Sequence, residues 1–280
     1  MRALQQSGLS QREACKIVRA RRRPTTERLS TRTQQDAPLM ERLTELAQAH
    51  PRYGCKRLYV VYERLARDVD PYLNYKRFRR LYRLANLQIA RRRQRSRAKY
   101  ARGLPRRSAL RPNDVWTMDF VSDRLLHGRV FRALTLLDEF SRFAFAVQPD
   151  FSYPSVSVVR TLEDAARENG YPKSVRVDNG PEFIASALER WSHEHGVQLL
   201  FIQPGKPTQN AFIESFNSRV RDELLLANRF RTIFEARVAA DEWRCGYNSS
   251  HPHSSLNGLT PEEFLATYET NQLPQEPVAA

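Results

Sequence analysis

Apolar positions recur with one period before Pro112 and with another after it. In the first part the spacing is helical. Ser10 followed by Glu13 forms a capping-box signature, and the helix it starts is expected to stop before Pro24. A second helix is expected from Pro38 to Ala49, with Leu39, Leu43 and Leu46 on one face. The polar run R-R-R-P-T-T-E-R-L-S-T-R-T-Q-Q-D between them reads as an exposed connection. Y-G-C-K-R-L-Y-V-V-Y-E-R-L predicts a helix after Gly54, D-V-D-P-Y-L-N-Y interrupts it, and Y-K-R-F-R-R-L-Y-R-L resumes the helical period. Phe78, Leu81 and Leu84 make the apolar face of that last helix, and Asn86 stops it.

Beyond Pro112 the pattern becomes that of strands. V-W-T-M-D-F-V-S-D, V-F-R-A-L-T-L-L-D and F-A-F-A-V-Q-P have hairpin-like spacing. A helix from Pro154 to Asn169 ends at Gly170, and K-S-V-R-V-D is a short strand leading through Asn179-Gly180 into a helix of 181–195. V-Q-L-L-F-I-Q is a further strand, and K-P-T-Q-N-A-F-I-E-S-F-N-S-R-V-R-D-E-L is a further helix. The order βββαβαβα predicts an α/β fold, a mixed sheet flanked by helices.

Charge divides the chain at the same place. Residues 1–112 hold 30 Lys and Arg against 8 Asp and Glu, whereas 113–280 hold 16 against 23. The basic part is a candidate polyanion-binding region, and nucleic acid is the partner that charge favours. Lys76, Arg77, Arg80 and Arg83 lie away from the apolar face of their helix, as in a helix-turn-helix, although a helical hairpin with solvated basic residues has the same pattern. Residues 91–111 hold ten basic residues and no acid, including Arg91, Arg92, Arg93, Arg95, Arg97 and Lys99. Such a run repels itself and is expected to lie along phosphates as a linker. The three cysteines lack a C-x-x-C pair, no run has the length of a membrane helix, and the N-terminus has no signal-peptide pattern. A cytoplasmic protein without membrane contact is expected.

Three acids stand out. Asp119 lies among Trp116, Met118, Phe120 and Val121, where an unpaired charge is costly. Asp178 ends a strand, where ligands gather in α/β sheets, and 35 residues separate it from Glu214. On the final helix Phe212, Phe216, Val220 and Leu224 form an apolar stripe, while Asn210, Glu214, Asn217 and Arg221 share another face. Carboxylates without partnering cysteines or histidines are hard oxygen ligands, suited to Mg²⁺ or Mn²⁺. Two such ions serve phosphodiester chemistry. The histidines of H-E-H and H-P-H read as helix-end or loop residues, and Asp138 and Glu139 as a surface turn. Trp243, Tyr247 and Pro252 are expected to anchor the C-terminal tail.

W-T-M-D-F, R-V-D-N-G-P-E-F and P-G-K-P-T-Q-N-A-F-I-E-S-F-N-S-R-V-R-D-E-L resemble the catalytic motifs of insertion-sequence transposases of the retroviral-integrase-like DDE superfamily. The resemblance is to the second-frame product of two-frame bacterial elements. Y-G-C-K-R-L and N-Y-K-R-F-R-R-L-Y-R-L resemble the family's upstream helix-turn-helix, and W-R-C-G-Y-N-S-S-H-P-H-S-S-L-N-G-L-T-P-E-E-F its C-terminal signature. His251 stands where the family usually has arginine, and Ser218 where glycine is frequent.

The resemblance implies an RNase H-like core and Asp119, Asp178 and Glu214 as a triad holding two Mg²⁺ or Mn²⁺ ions. It also implies Arg221 beside the bound DNA end, with Lys206 and Gln209 bordering the site. The expected organisation is a helical region over 1–51, a helix-turn-helix-like DNA-binding domain over 52–90, a basic linker over 91–112, the catalytic core over 113–230 and a helical extension over 231–280. The activity implied is cleavage and strand transfer at the ends of a mobile element, by a homo-multimer on DNA, with an upstream-frame product as fusion or partner. A DNA-binding factor without chemistry and a nuclease that never joins are the competing readings.

Overall fold

The computed structural model describes residues 31–66, 73–89, 109–180, 182–203 and 210–272. The helix expected before Pro24, most of the basic linker, and Lys206 and Gln209 lie outside the described residues. Among the described residues, three helices precede Pro112: α1 (Thr31–Ala49), α2 (Cys55–Leu65) and α3 (Tyr75–Leu84). The chain forms two compact units. One takes residues up to Pro51 together with Asp68–Gln88, and the other takes Arg52–Arg67 together with Ile89 onward.

In the first unit α1 packs on α3. Leu39 and Leu43 are buried on α1, and Phe78, Leu81 and Tyr82 on α3. Asn74 caps α3 by accepting a hydrogen bond from Arg77 N. The helix expected from Pro38 starts earlier, so Pro38 lies inside α1 and Asp36 is no longer in an exposed connection. Asp36 is buried and takes ion pairs from Arg77 at 2.6 Å and Arg80 at 2.5 Å. Burial alone would raise its pKa, but the hydrogen bonds and charges of the two guanidiniums outweigh that and hold it below the usual value.

The helix-turn-helix domain expected over 52–90 is divided between the units, because α2 groups with the larger one. There Arg57 on α2 pairs with Glu223 at 2.9 Å, and Arg64 pairs with Glu263 at 2.9 Å. Tyr53 OH lies 3.3 Å from His251 Nδ1. None of these partners is within 150 residues in sequence, so helical periodicity could not show them.

The larger unit is built on a five-stranded sheet: β1 (Val115–Arg124), β2 (Val130–Asp138), β3 (Ala144–Asp150), β4 (Ser174–Val177) and β5 (Gln198–Phe201). The spatial order is β3-β2-β1-β4-β5. β1 and β2 are antiparallel, as are β2 and β3, while β1, β4 and β5 run parallel. Strand alternation sends Trp116 and Met118 to one face, where they pack with α4 (Ser155–Asn169) and α5 (Ser186–Glu194). Val121 faces the other side, against α6 (Ala211–Arg219), a π-helical turn (Val220–Leu225) and α7 (Ile233–Ser250). This is the RNase H-like arrangement, a mixed sheet covered on both faces.

Three local departures from expectation have physical reasons. Helix α5 begins at Ser186, because Phe183 N and Ile184 N bond back to Gly180 O in a tight turn that buries Phe183. The helix after residue 206 changes to a π-turn at Val220. Asp138 and Glu139 are not a surface turn: both are buried, Asp138 accepting from Ser141 N and Oγ and Asn113 N, and Glu139 paired with Arg176 at 2.8 Å.

The C-terminal segment is an integral part of the core. Thr232 Oγ1 caps α7 by accepting from Glu235 N, Glu235 Oε2 accepts from Arg231 N, and Tyr247 on α7 packs edge-on to Phe216 of α6. A 3₁₀ turn (Ser254–Leu256) and α8 (Pro261–Gln272), the latter with a Thr260–Glu263 capping box, complete it. Trp243 stacks on Tyr247, as the expected anchoring of this segment requires, and His251 and His253 are buried beside them. No helix among the described residues is long and apolar enough to cross a membrane.

Candidate active site

Strand alternation places Thr117 and Asp119 on the face of β1 that α6 covers. Both are fastened to that helix. Thr117 Oγ1 lies 2.5 Å from Asn210 Oδ1, and both residues are buried. Asn217 Nδ2 donates to Asp119 Oδ2 over 2.8 Å, while Asn217 Oδ1 accepts from Thr135 Oγ1 over 2.8 Å. Thr135 is the β2 residue directly across from Asp119. Two asparagines seven positions apart thus clip two turns of helix onto one strand face. Glu214 lies between them in the first turn of α6.

The remaining acid arrives from β4. Thr117 pairs with Arg176 in the parallel ladder, so Asp178, just past the strand end, comes level with the middle of β1. Its Oδ1 accepts from Gly180 N over 2.9 Å. A Cβ on Gly180 would stand 2.9 Å from that oxygen, so glycine is what lets the turn fold against the carboxylate. Phe120 points the opposite way from Asp119, stacks on Phe183 at 5.2 Å, and ties the same turn to β1.

The three acids act on one another electrostatically. Burial, and then the charges of Asp178 and Glu214, push the Asp119 carboxyl up to about 6 against the opposing hydrogen bonds from Phe120 N and Asn217. The donor set is carboxylate oxygen alone, which fits a hard divalent cation in type. Among the described residues no three His, Cys, Asp or Glu side chains already form a metal cage. Asp119 Oδ2 is engaged by Asn217 and Asp178 Oδ1 by Gly180 N.

The other expected site residues are distributed differently. Arg221 is exposed in the π-turn, seven positions after Glu214. Lys76 and Arg83 are exposed on α3 and line a shallow basic cleft with Arg79, Arg80 and Leu84, whereas Arg77 and Arg80 are held by Asp36. Arg91, Arg92, Arg93, Arg95, Arg97 and Lys99 lie outside the described residues, with Lys206 and Gln209. Sequence reasoning put Asn210 and Asn217 on the face of Glu214 without assigning them work, and Thr135 gave no signal at all.

Comparison with known proteins agrees with this architecture. Residues 109–207 and 195–261 match two families, each described as an integrase core domain, which together span more than half of the chain. The chain is 42% identical over 93% of its length to the insertion element IS407 uncharacterized 31.7 kDa protein of Burkholderia multivorans, covering 92% of that relative. It is 26% identical to the putative transposase InsK for insertion sequence element IS150 of Escherichia coli, over 56% of each chain. A chain of the simian T-cell lymphotropic virus intasome, solved with the PP2A regulatory subunit B56 gamma, shares the fold with a TM-score of 0.53 at 16% identity, covering 85% of this chain and 78% of that one. This protein belongs to the integrase-core family of insertion-element transposases, DDE-type polynucleotidyl transferases that act in DNA transposition and integration.

Proposed function

We propose that Asp119, Asp178 and Glu214 are the catalytic acids and that they hold two divalent cations, Mg²⁺ or Mn²⁺, for cleavage and strand transfer at element ends. The observation that carries this is that Asp178, just past the end of β4, and Glu214, in the first turn of α6, both bear electrostatically on Asp119 of β1. What the bound cations supply is charge neutralisation at the attacking and leaving oxygens of a phosphodiester. The chain's own residues position. Asn217 and Phe120 N orient Asp119, Gly180 N orients Asp178, and the clipping of Asn210 to Thr117 fixes the start of the helix that presents Glu214.

In the first step a water oxygen forms the new bond to phosphorus and the 3′ oxygen leaves as a hydroxyl. In the second that 3′-hydroxyl attacks a target phosphodiester, releasing a new 3′-hydroxyl. The steps differ only in the attacking oxygen, so one set of acids serves both. Arg221, seven positions after Glu214, contacts the DNA end in this reading, and Lys76, Arg83 and the 91–112 linker supply phosphate contacts. Lys206 and Gln209, outside the described residues, are proposed as further DNA contacts. The working form is a homo-multimer holding two ends, with an upstream-frame product as fusion or partner.

Incubation of the parent, Asp119→Asn and Glu214→Gln with end-containing duplex and Mg²⁺ tests the reading. Both variants are expected to lose cleavage and joining by at least about 1000-fold, as removal of a charged group acting only in the transition state does. Parental rates in either variant overturn the assignment. Cleavage without joined product by the parent points to a nuclease instead.

A further inference from the structure

Many cations of the larger unit are held in ion pairs among the described residues. Arg132 pairs with Glu182, Arg160 with Asp164, Arg167 with Glu163, Lys173 with Asp114, Arg176 with Glu139, Arg237 with Asp150 and Arg244 with Asp241. By contrast, Arg129, Arg229 and Arg231 are exposed and make no ion pair among the described residues. All three lie on two neighbouring loops. The turn joining β1 to β2 is closed by Leu125 N to Arg129 O and Gly128 N to Leu125 O. The loop entering α7 is stitched to it by Leu126 N donating to Phe230 O over 2.8 Å, and Phe230 meets Phe131 edge-on. Arg129 is further fixed over the Phe151 ring at 3.5 Å.

Neither 124–132 nor 226–232 contains an acidic residue. The nearest acids in sequence are Asp123, Glu223 and Glu235; Glu223 is held by Arg57, and Glu235 accepts from Arg231 N. The patch is therefore a basic island on a part of the chain whose net charge is −7, from 16 basic and 23 acidic residues over 113–280. Leaving three guanidiniums unpaired on adjoining loops costs repulsion, which a polyanion relieves.

Its position relates it to the catalytic acids. The turn that carries Arg129 begins at Leu125, six residues beyond Asp119 and on the same sheet face, about 20 Å at strand rise. That is roughly half of the 34 Å helical repeat of duplex DNA. The second loop continues the segment that carries Glu214 and Arg221.

We propose that Arg129, Arg229 and Arg231 form a second DNA-contact surface, which grips the phosphate backbone of the duplex engaged at the carboxylates, about half a turn from the reacting phosphodiester. The contacts are to phosphates and carry no base sequence. The proposal rests on DNA being the substrate of this family, and its test is kept separate from the chemistry.

Binding of the full chain to a random-sequence 30-base-pair duplex is measured in EDTA by fluorescence anisotropy between 50 and 200 mM salt. In the R129Q/R229Q/R231Q variant the slope of log K against log salt is expected to be shallower by about 2.7, at 0.9 per phosphate. Across that four-fold range the parent then loses roughly 40-fold more affinity than the variant. The all-lysine counterpart, which keeps the charges, is expected to retain the parental slope and reports on folding. An unchanged slope in the glutamine variant, or an equal loss in the lysine variant, overturns the surface. Because EDTA stops all chemistry, an active Asp119→Asn would sink the catalytic reading and leave this result standing.

Discussion

Asn217 joins the helix of Glu214 to the strand of Asp119 through a 2.8 Å hydrogen bond to Asp119 Oδ2, and its other amide atom accepts from Thr135. One side chain thus spans three elements and sets the direction of Asp119, an acid proposed to be catalytic. Partners of ligating carboxylates typically change metal affinity or activity 10- to 100-fold when removed. Asn217→Ala is expected to raise the Mg²⁺ concentration needed for half-maximal cleavage by about that factor. A Mg²⁺ titration coinciding with the parent's would show that Asp119 needs no such partner.

Gly180 gives a sharper separation of fold from chemistry. An alanine Cβ would stand 2.9 Å from Asp178 Oδ1 and 3.3 Å from Glu182 Oε2. Both are far ends of side chains, so the fold can yield by moving a carboxylate, while the site cannot. Gly180→Ala is expected to lower stability by less than about 1 kcal/mol and activity about 100-fold, the cost of roughly 1 Å of misplacement. Thermal melts and cleavage rates on the same preparation decide it. A large loss of melting temperature would mean that the turn itself is what glycine protects.

The strands were legible because their signal is local. Trp116 and Met118 alternate with Thr117 and Asp119, and that alternation alone assigns Asp119 to the α6 face. The three acids could be proposed as a set for the same reason, since each sits in a short motif of its own. The π-turn was half visible. Phe212, Phe216, Val220 and Leu224 repeat every four residues, and on an α-helix that repeat drifts by about 40° per step. A π-turn has more residues per turn and takes up the drift, which keeps Val220 and Leu224 buried. What could not be read was long-range. Asp138 and Glu139 look like a turn until Asn113, Ser141 and Arg176 close around them. Helices α2 and α3 look like one motif until their charged partners, Glu223 and Asp36, place them in different units.

The Arg57–Glu223 pair carries a pH signature. Burial raises the Glu223 pKa above its ordinary value, and Arg57 opposes that rise. An acid whose folded pKa exceeds its unfolded one binds more protons when folded, so its contribution to stability falls as pH rises through that window. Arg57→Met removes the opposing charge and widens the window upward. With the partly buried pair broken, about 1–2 kcal/mol of stability should be lost at pH 8 and less at pH 5, where Glu223 can take a proton. Urea unfolding at both values measures the difference, and an equal loss at each would place the effect in packing.

The four basic residues first grouped on α3 separate into two kinds. Arg77 and Arg80 close on buried Asp36, whereas Lys76 and Arg83 are exposed beside Arg79 in the basic cleft. Removing either of the first two leaves a buried carboxylate partly unpaired, and Arg77→Ala is expected to destabilise by about 1–3 kcal/mol. Its effect should be larger at neutral pH than in acid, because Asp36 has its pKa held below the ordinary value and the stability this lends is lost as pH falls through that lowered value. Lys76→Ala and Arg83→Ala leave no such orphan. They are expected to change stability by no more than about 0.5 kcal/mol while each takes about 0.9 from the salt slope of DNA binding. Urea melts alongside anisotropy titrations sort the four residues, and a salt slope unmoved by Lys76→Ala and Arg83→Ala together would remove α3 from the DNA-binding surface.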